Sequence, residues 1–189
     1  MPKYILQTTE YSIMSDLSNF LNAINRLDYD YVSNALISGF NPNIRYSEVG
    51  KFTNDLYSEY STPLMYAVNT NDEKMVALLL SHGTDPNMAS PLTFVSPLMI
   101  AVSKDLNIVS LLLKYGANIN QVDSDSYSAL HYAVSHSKDD AVVLLLKNGA
   151  KYDIKNGRGR TVLALSLLYK DFHMLRLLLN NGAKFYVTD

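Results

Sequence analysis

The chain has 189 residues and 48% of them are hydrophobic, so it can bury one continuous core as a compact domain or a short repeat array. Its 16 basic and 18 acidic residues nearly balance, which removes the electrostatic basis for a nucleic-acid partner. The absence of Cys excludes disulfides, thiolate catalysis and thiolate metal ligands. The sequence shows no secretory leader and no run of about 18 apolar residues, so we expect no membrane span and a cytoplasmic location.

Four glycines recur every 33 residues along the chain. They are Gly83, Gly116, Gly149 and Gly182. Each glycine ends a similar apolar segment, such as MVALLLSHG or AVVLLLKNG. A second recurring segment, which reads STPLMYAV in its first clear copy, lies upstream of each glycine. Two segments in each period predict two structural elements in each repeat.

The first segment of each repeat begins with a residue whose hydroxyl can cap the N-terminus of a helix. These residues are Thr62, Ser96, Ser128 and Thr161. Apolar residues then follow the spacing of one helix face, as at Leu130, Ala133 and Val134. The second segment has a similar stripe and ends in glycine, which suits the left-handed residue after a helix. Each repeat is therefore predicted to be a helix pair, and such pairs cover their apolar faces by stacking.

The fixed period, the T-P-L-H-like start of the first helix and the L-L-L-x-x-G-A end of the second resemble the ankyrin repeat family. The resemblance extends over roughly residues 16–186 and is closest in GANINQVDSDSYSALHYAVSHSKDDAVVLLLKNGA, residues 116–150. It implies an all-α fold, an ankyrin-repeat solenoid of stacked helix-turn-helix pairs with β-hairpin-like loops. We expect a single domain, residues 1–189, whose repeats lie at about 16–43, 61–87, 95–120, 127–153 and 160–186. In the first copy Asn34 stands where later copies have leucine, which predicts an N-terminal cap.

The sequence departs from this repeat at three places. An insertion at residues 44–60 contains four aromatic residues and Glu59, and long aromatic loops on a rigid scaffold favour recognition. Packing of these rings against the second repeat is the alternative. The segment SPLTFV carries Phe94 and a proline in place of the usual polar turn, which predicts an irregular hairpin. The turn between the two helices of the third repeat is one residue shorter than in its neighbours.

Ankyrin proteins bind partners mainly through their hairpin tips and the exposed side of their first helices, so the resemblance implies a concave protein-binding face. The candidates in the insertion are Tyr46, Phe52, Tyr57, Glu59 and Tyr60. The candidates at the tips are Phe94, Val95, Asp125, Tyr127, Arg158 and Arg160. The candidates at first-helix positions are Asn69, Lys104, His136 and Tyr169. The stripe changes from acidic and aromatic through apolar to basic, which favours a partner with several kinds of patch.

Two other motifs are weaker. The segment KNGRGRT, residues 155–161, lacks the strand and the Lys-Ser/Thr spacing of a phosphate loop, so we interpret it as a hairpin tip. His131 and His136 are poorly spaced for zinc, and no metal site is predicted. The resemblance implies a structural role for His131. It also implies that Asn87 and Asn120 are candidates for asparaginyl hydroxylation, with simple bonding of the side chain to the turn backbone as the alternative.

We therefore predict a protein-protein interaction module, an adaptor, competitor or inhibitor, that is not an enzyme, has no cofactor and no small-molecule substrate, and is a monomer when free. Its partner is an unidentified protein. The content of Asn, Tyr, Ser and Ile is typical of an AT-rich genome, which favours a pathogen effector that acts on signalling in the host cytoplasm. Two alternatives stay open: self-assembly through the apolar last repeat, and an enzyme with a site on the loop 44–60.

Overall fold

The computed structural model describes residues 15–44 and 62–185, so residues 45–60 of the insertion lie outside these ranges. Within them, residues 15–25 form helix α1, and nine further helices follow. These are α2 (Tyr29–Ile37), α3 (Pro63–Thr70), α4 (Glu73–Ser81), α5 (Pro97–Ala101), α6 (Leu106–Lys114), α7 (Ala129–Ser135), α8 (Asp139–Lys147), α9 (Val162–Leu168) and α10 (Phe172–Asn180). In this part of the chain, β-structure is limited to an isolated antiparallel bridge between Val122 and Ser128. The predicted all-α class is confirmed.

The helices stack in two rows. In the first row α3, α5, α7 and α9 contact one another in sequence order, and in the second row α2, α4, α6, α8 and α10 do the same. One continuous cluster of buried apolar side chains runs through the stack from Leu17 to Ala183. Each helix pair thus buries its apolar face against the next, which is the solenoid that the repeat predicts. None of the helices in the described ranges is long and apolar enough to cross a membrane.

The predicted helix starts are confirmed. Thr62, Ser96, Ser128 and Thr161 lie at the N-cap positions of α3, α5, α7 and α9. Thr62 Oγ1, for example, accepts a hydrogen bond from the backbone N–H of Met65 at 3.2 Å. Carboxylates cap several second helices, as where Asp72 Oδ1 accepts from the Met75 N–H at 2.7 Å. These contacts satisfy N–H groups that have no partner within the helix.

The turn between α5 and α6 differs from the other interhelical turns. Directly before the N-cap of the second helix, the other four turns place a residue in the left-handed region. These residues are Leu27 (φ 55°), Asn71 (φ 60°), Ser137 (φ 50°) and Lys170 (φ 56°). Lys104, at the equivalent position, is not in that region, and α5 has only 5 residues. The predicted shortening is confirmed, and it removes the left-handed residue from this turn.

Candidate functional site

The hairpin tip between α6 and α7 is organised around the carboxylate of Asp123. Asp123 Oδ1 accepts hydrogen bonds from the backbone N–H groups of Asp125 at 2.9 Å and Tyr127 at 2.8 Å. Its Oδ2 accepts from the phenol of Tyr132, on α7, at 2.7 Å. One side chain therefore fixes the shape of the tip and ties the tip to the first helix of its repeat.

Aromatic rings continue this contact along α7. The Tyr132 ring stacks on His136 with ring centroids 6.3 Å apart and meets Tyr127 edge-on at 6.1 Å. Burial, helped by the hydrogen bond to Asp123, raises the pKa of the Tyr132 phenol well above its usual value of about 10. The phenol therefore stays protonated at neutral pH and keeps donating to the carboxylate.

The preceding tip, between α4 and α5, has a different geometry. Ser90 N–H donates to the Val95 carbonyl at 2.9 Å, and Phe94 N–H donates to the Ser90 carbonyl at 3.0 Å. Phe94 lies in the left-handed region with φ 55°, and its side chain is 55% exposed. Phe94 lies two residues before the N-cap of α5. The equivalent residues are Ser126 in the tip before α7 and Gly159 in the tip before α9. The predicted irregular hairpin is confirmed, because the bond from Ser90 to Val95 closes this tip over five residues, whereas Asp123 N–H to the Tyr127 carbonyl and Asn156 N–H to the Arg160 carbonyl close the next two tips over four.

Hydrogen bonds between backbones join the tips in a row. Ser124 N–H donates to the Thr93 carbonyl at 2.8 Å, and Gly157 N–H donates to the Asp125 carbonyl at 2.7 Å. A Cβ at position 157 would lie 3.1 Å from that carbonyl oxygen, which explains a glycine at this close approach. Three successive tips therefore form one connected edge along the first row of helices.

An open cavity of about 350 Å³ lies where two of these tips meet the first row of helices. Its walls are formed by Thr93, Val95, Ile100, Asp123, Ser124, Asp125 and Tyr132, and we call this cavity the tip groove. Val95 and Ile100 supply apolar surface, and Asp123 and Asp125 supply carboxylates. The groove can therefore contact both an apolar group and a cation.

The sequence-predicted candidates fall into three groups. The exposed ones are Phe94, Lys104, Asp125, His136, Arg158 and Tyr169. The half-buried ones are Asn69, Val95, Tyr127 and Arg160. The candidates of the insertion, which lie outside the described residues, are Tyr46, Phe52, Tyr57, Glu59 and Tyr60. The structure brings Val95 and Asp125 together in the tip groove, and the partner-binding role of every member stays a prediction.

Sequence reasoning missed Ile100 and Tyr132, which both line the tip groove. They occupy the same place in their repeats, four residues after the helix caps Ser96 and Ser128. That alignment is the signal that could have found them, because equivalent positions of stacked repeats face the same side. The segment YSALHYAV was interpreted only as a helix with an apolar face, so Tyr132 was not considered as a candidate for binding.

His131 is buried and bonds on both sides of its ring. Nδ1 lies 3.2 Å from the backbone N–H of Ser128, which donates to it, and Nε2 lies 3.4 Å from the Arg160 carbonyl of the next tip. Burial lowers the pKa of His131, although the bond to the Arg160 carbonyl favours the protonated form. These contacts give His131 a structural role between repeats, as the resemblance implied.

The side chains of Asn87 and Asn120 also bond between repeats. Asn87 Oδ1 accepts from the Asn118 N–H at 2.6 Å, and Asn120 Oδ1 accepts from the Lys151 N–H at 2.8 Å. The structure thus supports bonding to the turn backbone as a function of both residues. Their hydroxylation stays a prediction. Across residues 15–44 and 62–185, no group of three or more His, Asp or Glu side chains is placed to hold a metal ion.

Stacked helix pairs with connected tips define the class of helical repeat proteins. A family model described as ankyrin repeats (3 copies) matches residues 22–123, 64–156 and 98–189, and together these matches cover most of the chain. The chain belongs to the ankyrin repeat family, as the sequence resemblance predicted. No curated protein matches the chain. Ankyrin repeats in general are non-enzymatic modules for protein-protein interaction.

Proposed function

We propose that the concave face and hairpin tips of this chain hold a partner protein, so that the chain acts as an adaptor, competitor or inhibitor. The connected edge of tips carries this proposal. The bonds from Ser124 to Thr93 and from Gly157 to Asp125 fix the tips in the free chain. A surface that is already ordered binds with a smaller entropic cost than one that must be ordered by its partner.

The variety of side chains along this edge supports a protein partner. The tip groove carries Asp123 and Asp125, the tip before it exposes Phe94, and the tip after it carries Arg158 and Arg160. A uniformly charged polymer would match only part of such a surface, whereas a protein can present apolar, basic and acidic groups in turn. We also propose that the stacked repeats act as a single domain.

Affinity capture from the native cell type tests this proposal. We expect the triple variant Lys104→Ala, Arg158→Ala and Tyr169→Ala to lose the partner that the unaltered chain retains, since all three side chains are exposed along the proposed face. Circular dichroism and thermal unfolding should stay close to those of the unaltered chain, because exposed positions contribute little to stability.

A matched variant on the second row of helices serves as the control. Lys74→Ala, Lys114→Ala and Tyr115→Ala likewise remove two positive charges and one tyrosine from exposed positions outside the proposed face. This control should keep the partner. Retention of every partner by the first triple variant would contradict the proposed face.

We further propose that the chain is a pathogen effector that acts on signalling in the host cytoplasm. Its support is the content of Asn, Tyr, Ser and Ile, which is typical of an AT-rich genome. Capture from host extract and from extract of the source organism would test this, with location followed by imaging of a tagged chain. Partners recovered only from the organism's own extract, or a tagged chain outside the cytoplasm, would contradict it.

The last helix pair favours a second candidate function, self-assembly. Val134 at the end of α7 is 2% exposed because the next repeat covers it, whereas the equivalent Leu167 of α9 is 44% exposed. Phe172, at the start of α10, is 67% exposed. Light scattering should show mass that rises with concentration and falls in Leu167→Ser with Phe172→Ser. A monomer at every concentration would exclude self-assembly. The other alternative, an enzyme with a site on the loop 44–60, concerns residues that lie almost entirely outside the described ranges.

A further inference from the structure

We propose that the tip groove binds an extended segment of the partner protein in which a Lys or Arg side chain lies within two residues of a large apolar side chain. Phe94 forms the apolar contact beside the groove, and Asp125 receives the cation. This inference rests on the proposed binding function and specifies the chemistry of the partner at one place on the face.

Phe94 has a backbone conformation that a bulky residue rarely adopts. Its φ of 55° lies in the left-handed region, where Cβ crowds the backbone of any residue except glycine. The left-handed backbone recurs at this position in the next two tips, at Ser126 with φ 61° and Gly159 with φ 72°, so the turn itself requires it and a small residue can supply it. What distinguishes the first of these tips is that a bulky aromatic residue occupies a position where the next two repeats have serine and glycine.

The exposure of Phe94 points the same way. Its ring is 55% exposed, and Leu92, two residues earlier, is 78% exposed. Neither side chain gains stability from burial in the core, and large exposed apolar groups placed together mark interaction sites. Aromatic side chains at such places contribute strongly to the affinity of protein interfaces. Thr93 and Val95, the chain neighbours of Phe94, line the tip groove, so Phe94 is attached to the wall of the groove although its ring is not part of the lining.

The walls of the groove specify the second contact. Val95, Ile100 and the ring of Tyr132 offer apolar surface along which the methylene stem of a long side chain can lie. The cavity of about 350 Å³ has room for such a side chain. A stem that packs there carries its head group to the carboxylates at the rim.

The charges of the groove favour a cation as that head group. The lining contains Asp123 and Asp125 and no Lys, Arg or His. Asp123 is engaged by Tyr132, whereas the Asp125 carboxylate is exposed and forms no ion pair with a cationic residue in the described ranges. A wholly basic segment is disfavoured, because Arg158 and Arg160 lie on the next tip. One basic residue close to an apolar residue fits both features.

Selection from a library of random peptides displayed on phage, with the full chain as target, tests the inference. We expect enriched peptides to contain Lys or Arg within two residues of a Leu, Ile, Met, Phe, Tyr or Trp. Synthetic copies measured by fluorescence anisotropy should bind Phe94→Gly and Asp125→Asn about tenfold more weakly than the unaltered chain. Phe94→Gly should at the same time raise the urea midpoint, because it removes the backbone strain.

Two further variants keep the test decisive. Asp153→Asn makes the same charge change as Asp125→Asn at an exposed position outside the groove lining and should leave peptide affinity unchanged. Phe94→Ser places at this tip the residue type that Ser126 has in the next, and should lose peptide affinity like Phe94→Gly. Failure to enrich peptides, enrichment without a basic residue, or affinity unchanged by the Phe94 and Asp125 variants would overturn the inference.

The native partner separates this inference from the proposed function. If Phe94→Gly and Asp125→Asn retain the partner at full affinity while Lys104→Ala, Arg158→Ala and Tyr169→Ala together lose it, the binding face stands and the groove chemistry is wrong. If all of these variants retain the partner, both proposals fail. If both the groove variants and the triple variant lose the partner, both the binding face and the groove chemistry are supported.

Discussion

Asn87 Oδ1 lies 2.6 Å from the backbone nitrogen of Asn118, and this hydrogen bond joins the turns that follow two successive repeats. Nδ2 of the same side chain donates to the Gly116 carbonyl at 3.1 Å. Asn43 makes the corresponding pair of bonds to the turn after the next repeat, at 2.7 Å and 3.1 Å. One asparagine, four residues after the glycine that ends a repeat, therefore connects that repeat to its neighbour.

Replacing Asn87 with alanine should weaken this connection. Two hydrogen bonds are lost, and water replaces them only in part because Asn87 is half-buried, so we expect a loss of about 1–2 kcal/mol in the free energy of unfolding. Urea unfolding followed by circular dichroism measures the change. Asn107→Ala, at an exposed helix position whose side chain has no hydrogen bond within the described residues, should change stability by less than about 0.5 kcal/mol. An equal loss in both variants would show that the turn bonds contribute nothing specific.

Lys170→Gly should stabilise the chain. Lys170 has φ 56° in the turn between α9 and α10, and relief of this strain exceeds the entropy that glycine adds to the unfolded state by roughly 0.5–1 kcal/mol. Lys104→Gly is the matched control, because Lys104 occupies the equivalent place in the shortened turn without a left-handed backbone. It should lose about 0.5–1 kcal/mol. Equal signs for the two changes would contradict this account of the turns.

Tyr132→Phe should destabilise the chain by about 1–2 kcal/mol, because it removes the hydrogen bond to the half-buried carboxylate of Asp123. Far-ultraviolet dichroism should stay unchanged, since the ring and the helix that carries it remain. Thermal unfolding measures the change. Tyr169→Phe removes a phenol that is exposed and makes no hydrogen bond within the described residues, and it should leave the unfolding temperature unchanged. A stable Tyr132→Phe variant would show that solvent replaces the bond.

The fold was predictable because its signals are local and recur. The capping hydroxyls, the apolar spacing and the closing glycines each act within one helix, and four clear copies reinforce one another. The shortened turn before α6 could be read by counting residues between Ala101 and Leu111. Stacking then follows, since no helix pair can bury its own apolar face.

The contacts of the candidate site could not be predicted in the same way. The bond from Ser124 to the Thr93 carbonyl joins residues 31 positions apart, and only the stacking distance of the repeats brings them together. Asp123 is one acidic residue among several in its segment, and its bond to Tyr132 depends on how the hairpin folds back on α7. Phe94 looks apolar in sequence, whereas its strain becomes visible only when the backbone angle is known.

His131 predicts that stability depends on pH. Burial lowers the pKa of His131 in the folded chain. On acidification the unfolded chain, in which this histidine has its ordinary pKa of about 6.5, therefore takes up the proton first. The neutral ring thus stabilises the fold above about pH 6.5, and this contribution decreases as the pH falls toward the lower folded pKa, by up to about 1.4 kcal/mol per pH unit. The edge of the Tyr127 ring and the Asp123 carboxylate face the imidazole, and Asp123 opposes the shift without cancelling it.

Comparison of variants isolates this dependence. Repeats two and three have methionine, Met65 and Met99, at the position of His131. The substitution His131→Met should therefore be tolerated by the helix start. Urea unfolding between about pH 7.5 and about pH 5 should show a smaller acid-side loss of stability in His131→Met than in the unaltered chain. His136→Gln, which removes an exposed histidine at the opposite end of the same helix, should keep the full loss. A pH profile unchanged by His131→Met would mean that the buried ring is protonated as readily in the folded chain as in the unfolded one.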